Sequence, residues 1–178
     1  MKILNYLKTA LVLTLITAIC AALIAIVNIP TSEKIIENAR EKKERLCQEI
    51  FADYSIDASP EAITSGFESE YIVEKIEAYD SSSNFLGYIY TVKGNNSYGA
   101  IELLVGISSD GTLVSVEFIT NGQSFSSETE AHVNGSYVSG LDSTEVNNID
   151  VNCGATYAAK LVKELVSACF NDSQGGSW

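Results

Sequence analysis

Hydrophobic positions along this chain fall into three successive patterns, and each predicts a different kind of element. From Thr9 to Ile29 they run on almost unbroken and carry no charge. As a helix, that stretch is long enough to cross ~30 Å of hydrocarbon, so a single N-terminal transmembrane helix is expected. A cleaved signal peptide is the competing reading, since Lys2 and Lys8 precede the run and Ala18, Ala21 and Ala22 offer small residues. The apolar run continues past those alanines to Ile29, which favours an uncleaved anchor over residues 1–30.

Beyond Pro30 the pattern changes. Thr31 and Ser32 offer N-cap chemistry, and Ile35, Ala39, Leu46 and Ile50 make an interrupted helical stripe among mixed charges. This predicts a connecting helix within residues 31–52. Asp53 to Gly66 is rich in Ser, Asp and Ala and reads as irregular. Then come four strand-like segments, Tyr71–Tyr79, Phe85–Lys93, Ala100–Ser108 and Leu113–Thr120, separated by short spacers of Ser, Asn, Asp and Gly. Spacers that short favour antiparallel hairpins.

Asn121 to Asn148 is polar, with Phe125, His132, Tyr137 and Leu141 as isolated larger residues, and is expected to be a long functional loop. The third pattern closes the chain. Ala158, Leu161, Val162, Leu165, Val166 and Cys169 fall on one helical face, with Lys160, Lys163, Glu164 and Ser167 on the other. The expected fold is therefore α+β: one transmembrane helix, then an antiparallel sheet packed with helices over residues 53–172, and a frayed tail at 173–178.

Composition narrows the function classes. With one span removed, 178 residues leave enough chain for one domain with its own core. A net charge of −12 argues against a nucleic-acid partner, because binding a phosphate backbone calls for a basic face. The cysteines at 20, 47, 153 and 169 form no Cys-x-x-Cys pair, so no zinc or iron–sulfur ligand set is readable. Cys47 and Cys169 could pair in an oxidising compartment, although buried free thiols at helical apolar positions are the expectation. His132 is the single histidine and cannot build a conventional metal site.

The segment with chemistry is Asp150-Val151-Asn152-Cys153-Gly154-Ala155-Thr156, immediately before the last helix. It places the hydroxyl of Thr156 on the first turn, where free backbone N–H groups and the positive end of the helix dipole favour a phosphate. Asn152 is a candidate N-cap, Gly154 permits close approach, and Lys160 and Lys163 add positive charge. Taken alone, Gly-Ala-Thr could equally be a small-residue helix start, and Asp150 an ordinary turn aspartate.

With Asp150 in place, the run resembles the Asp-x-x-Ser-Gly-Ala-Thr flavinylation motif of covalent FMN-binding domains, with Cys153 standing where the serine is expected. The chain resembles the G subunit of the Rnf ferredoxin:NAD oxidoreductase and its relative, the C subunit of the sodium-translocating NADH:quinone reductase. Val27-Asn28-Ile29-Pro30-Thr31 after the span, and Tyr98 to Ile107 followed by Asp110-Gly111, match that family in order.

The resemblance implies covalent FMN on Thr156, with Asp150, Cys153, Gly154 and Ala155 completing the site and a separate flavin transferase making the bond. Phe125 and Tyr137 are candidate flavin contacts. It also implies an electron-relay role beside other membrane subunits of an Rnf-type complex, rather than a complete enzyme. Counting basic residues alone, with Lys2 and Lys8 before the span and Lys34, Arg40, Lys42, Lys43 and Arg45 after it, would place the domain inside. The resemblance implies a single-pass protein with its domain extracytoplasmic, and that is the expectation. The alternatives are a membrane-anchored surface binding module of the same fold without flavin, and a stand-alone anchored flavoprotein for extracellular electron transfer.

Overall fold

A computed structural model describes residues 2–175, so positions 176–178 of the expected tail lie outside it; within the first helix the side chains of 2–5, 7, 9, 24–33, 35, 36 and 39 also lie outside that description. The chain divides into two compact units, Met1–Lys42 and Lys43–Trp178. Helix α1 spans Lys2–Ile50, so the separate helix start expected at Thr31 and Ser32 is not found. Among the described residues no helix is long and apolar enough to cross a membrane, and the expected span falls partly on side chains outside the description.

In the second unit, strands β1 (Ile72–Tyr79), β2 (Phe85–Asn96), β3 (Gly99–Ser108) and β4 (Leu113–Asn121) form one antiparallel sheet in sequence order. The meander follows from the short spacers, which leave no room for a crossover. One spacer is shorter than the sequence suggests. The β2–β3 ladder continues to Asn96 opposite Gly99, so Ser97 and Tyr98 alone make the turn. That lengthened hairpin carries Tyr98 out to its tip.

Helices α2 (Ser126–Ser136) and α3 (Ser143–Asn148) correct the expected long loop, and α4 (Thr156–Ser173) is the expected amphipathic helix. The loop reading failed because α2 buries only Thr129 and Val133, too few apolar positions to show a period. For α3 a signal existed. Asp142 and Glu145 form a capping box, the Asp142 side chain accepting from the Glu145 N–H at 2.8 Å and the Glu145 side chain from the Asp142 N–H at 3.0 Å.

The sheet is covered on both faces. Leu161, Val162, Leu165, Val166, Cys169 and Phe170 of α4 pack on one face against Tyr90, Val92, Leu103 and Val105. On the other, Leu46, Cys47 and Ile50 at the end of α1 meet Ala78, Ile89 and Leu104. Leu165 is fully buried, so Leu165→Ala should destabilise the domain by about 2–5 kcal/mol, measurable by urea denaturation. Cys47 and Cys169 are both free, and they lie in cores on opposite faces of the sheet, which rules out their pairing.

Burial raises the Cys47 thiol from 9.0 to about 11, with Lys43 partly opposing and Glu74 reinforcing the rise. Burial likewise raises Cys169 and, together with the Asp172 carboxylate, the Tyr90 phenol. Each group is neutral in the fold and ionises sooner once unfolded. The Cys47 contribution is therefore full below about pH 9 and is lost as pH rises toward 11. Denaturation midpoints should hold up to pH 9 and fall above it, less steeply in Cys47→Val.

Candidate functional site

The segment before α4 is wound up by its own polar groups. The Asp150 side chain accepts the Asn152 N–H at 2.9 Å, an Asx turn, and the Cys153 N–H donates to the Val151 carbonyl at 3.0 Å. Lys163 reaches back from α4 to donate to the Ile149 carbonyl at 3.0 Å. It therefore secures this loop rather than facing outward as a free charge. The N-cap is Ala155, not Asn152, and no side chain caps the helix. The first-turn N–H groups are consequently left open at the surface, where an anion is favoured.

Thr156 is the first residue of α4 and is half-buried; its Oγ1 donates to the Cys153 carbonyl at 2.8 Å. A Cβ on Gly154 would meet only the Glu128 side chain, its Cγ at 3.7 Å and its Cβ at 4.0 Å, both ordinary contacts. The backbone conformation there is not one that demands glycine. What the missing side chain supplies is open surface beside the Thr156 hydroxyl.

That surface is the wall of a cavity of about 240 Å³, lined by Gly154, Ala155, Thr156, Tyr157, Ala158, Tyr98, Gln123 and Phe125. Tyr98 and Tyr157 stack across its edge with ring centroids 5.4 Å apart and planes 29° from parallel. Phe125, Tyr98 and Tyr157 are exposed by 54%, 45% and 64%. Three exposed aromatic rings around one cavity make a surface suited to a planar aromatic ligand. At its inner end Gln123 is buried; its Nε2 donates to the Gly99 carbonyl while its Oε1 has no partner.

The sequence-predicted residues thus divide. Gly154, Ala155, Thr156 and Phe125 come together at the cavity. Asp150 and Cys153 lie in the preceding turn, Asp150 exposed and Cys153 half-buried against the core, and neither lines it. Tyr137 is in the core with its ring edge-on to His132; its buried hydroxyl has no hydrogen-bond partner, and burial raises its pKa. Tyr98, Gln123 and Tyr157 are additions that the sequence did not single out.

A larger cleft of about 630 Å³ lies along the C-terminal half of α4, beside Glu68, Glu164, Lys75 and Asp172. Lys75 is held there at 2.7 Å by Asp172 and over the Tyr88 ring at 4.2 Å. With its cation neutralised and further carboxylates near a helix C-terminus, this cleft repels phosphate. The smaller cavity opens at a helix N-terminus, the end that favours an anion, with the Glu128 side chain beside Gly154.

Residues 1–50 match the RnfG N-terminal region, and residues 97–171 match the FMN-binding domain. The chain belongs to the RnfG-type subunits. The RnfG-type match covers α1, and the FMN-binding match covers everything from the β2–β3 turn to the last turns of α4, including all eight cavity-lining residues. No individual curated protein matches the chain significantly. As an RnfG-type subunit it is a flavin-binding, electron-transfer component of an Rnf complex. The residues present fit FMN: an unbonded buried acceptor, aromatic walls and an uncapped helix start meet in one cavity.

Proposed function

We propose that this RnfG-type subunit carries FMN as a phosphoester on the Thr156 hydroxyl and relays electrons between membrane partners. The observation that carries the proposal is that Thr156 is at once the first residue of an uncapped helix and part of the aromatic-rimmed cavity. Its hydroxyl hydrogen points to the Cys153 carbonyl, which leaves oxygen lone pairs for an incoming phosphorus. Attachment by a flavin transferase takes the flavin phosphate from a flavin dinucleotide: the Thr156 Oγ1–P bond forms as the pyrophosphate bond breaks, the nucleoside monophosphate leaves, and the hydroxyl gives up its proton and that single hydrogen bond. The exposed backbone at Gly154 lets a phosphate approach, and the Asx turn at Asp150 presents an exposed, hydrogen-bonded loop to the transferase.

Bound FMN supplies one- and two-electron redox chemistry; the protein supplies position, hydrogen bonding and water exclusion. Thr156 would tether the cofactor, Phe125 and the stacked Tyr98–Tyr157 pair would offer aromatic surface to the ring, and the α4 N-terminus would stabilise the phosphate charge.

Membrane attachment through α1 is part of the same proposal. Leu11, Leu13, Leu15, Ile16, Ile19 and Leu23 are all exposed, so the stretch of α1 from 11 to 23 presents apolar side chains outward. The hydroxyls of Thr14 and Thr17 are satisfied by donating to the carbonyls of Ala10 and Leu13, as a lipid environment requires. The domain is placed on the extracytoplasmic side, where the flavin cannot meet cytosolic NADH or ferredoxin. Electrons then pass through neighbouring membrane subunits.

Gentle detergent extraction should recover the chain with multi-span partners, and protease added to intact spheroplasts should digest the domain. Deleting the gene should abolish ferredoxin-dependent NAD reduction by membranes. A lone monomer whose deletion leaves that activity unchanged would refute the relay reading.

A further inference from the structure

We infer that Gln123 positions the flavin ring, its side-chain oxygen accepting a hydrogen bond from the ring's imide N–H; the inference rests on the flavin reading above. Gln123 is only 6% exposed, yet it lines the cavity beside Thr156. Its amide is held at one end alone. Nε2 donates to the Gly99 carbonyl, whereas Oε1 is buried without a partner. Turning the amide over would set its oxygen against the Gly99 oxygen, so the unbonded end is fixed as an acceptor.

A buried acceptor left unbonded costs the desolvation of that group, and native structures rarely tolerate it without cause. The other unbonded buried atoms, Tyr137 Oη and His132 Nε2, belong to residues outside the cavity lining. Among the described residues, only Gln123 combines burial, an unbonded acceptor and a place in that lining.

The backbone on both sides of Gln123 is hydrogen-bonded to the β2–β3 hairpin. On one side the Gly122 N–H donates to the Ala100 carbonyl at 2.9 Å, and on the other the Ser124 N–H donates to the Tyr98 carbonyl at 3.2 Å. Gln123 is thereby strapped to the tip of the β2–β3 hairpin, next to the tyrosine that stacks on Tyr157. The complement of a lone neutral acceptor is an N–H donor. Oxidised isoalloxazine has one, in its imide, and its flat faces suit the flanking aromatic rings. Gln123 would therefore fix the rotation of the ring in its plane, a positioning task that the phosphate tether at Thr156 does not perform.

The test compares the full-length chain loaded by its transferase from FAD or from 3-methyl-FAD, whose flavin has no imide N–H; in each case the pyrophosphate bond breaks and AMP leaves. Covalent loading is read first as a fluorescent band on a denaturing gel, and an unlabelled wild type sinks the flavin reading itself. In labelled wild type, methylation should shift both the reduction potential and the long-wavelength absorption band. In Gln123→Leu the two flavins should behave alike, while Gln123→Glu, which keeps an acceptor oxygen, should retain a difference. Labelled wild type indifferent to methylation, or an equal methylation effect in Gln123→Leu, would overturn the assignment. Should Gln123→Leu fail to fold, the wild-type comparison still decides.

Discussion

Thr156→Ala should leave the fold standing and remove the covalent flavin completely. In the unmodified chain this side chain makes one hydrogen bond, to the Cys153 carbonyl, and it is not part of the main core. Losing that bond should cost about 0.5–1.5 kcal/mol, well within the stability of a domain this size. The chemical loss is absolute, because alanine has no oxygen to bond phosphorus. A denaturing gel under ultraviolet light should show a bright wild-type band and a dark Thr156→Ala band of equal protein. Thr156→Ser should keep part of the signal, since the hydroxyl survives while the methyl group that narrows its rotamer choice is lost. Cys153→Ser should label at least as well as wild type, because Cys153 contributes its backbone carbonyl to Thr156 and its side chain is not in the cavity wall.

Gly99→Ala should be the most damaging single-methyl change near the site. Gly99 has φ of +139°, and a Cβ built on it would lie 2.0 Å from the Gly122 carbonyl oxygen. Strain and clash together should cost about 3 kcal/mol. Relief requires the hairpin tip and the segment from Gly122 to Ser124 to part, which breaks the Gln123 amide's contact with the Gly99 carbonyl and misplaces Tyr98. The variant should therefore melt at least about 8 °C lower. Whatever flavin it carries should also be more exposed, as judged by quenching with iodide. An unchanged melting temperature would mean that the close backbone approach is not a constraint.

The strands were legible in the sequence because short apolar runs, nearly continuous in β3, are bounded by turn-rich spacers, and the final helix because its apolar positions repeat close to every 3.6 residues. The motif was legible because its residues are contiguous, so the spacing alone places Thr156 on the helix start. The rest of the cavity was not. Tyr98 reaches it only because the hairpin turn is two residues long, where Gly94 to Ser97 had read as the spacer. Gln123 reaches it through backbone pairing to residues of the same tip, a contact with no sequence signature. Tyr157 was next to the motif and passed over because it lies off the apolar stripe, which is why its ring is exposed. Helix α2 escaped notice because it is polar almost all round. Asn152 looked like an N-cap but sits too early: its N–H is spent on the Asp150 turn and the helix begins four residues later.

The central claim is that Thr156 bears the flavin, and peptide mapping tests it most directly. Trypsin cleaves after Lys93 and next after Lys160, so one peptide, Gly94–Lys160, contains the whole cavity lining. Protein isolated with its native transferase should yield that peptide heavier by one flavin phosphate, and fragmentation should place the increment on Thr156. An unmodified peptide, from a chain whose transferase is active on another substrate, would contradict the account, as would an increment carried by any other residue.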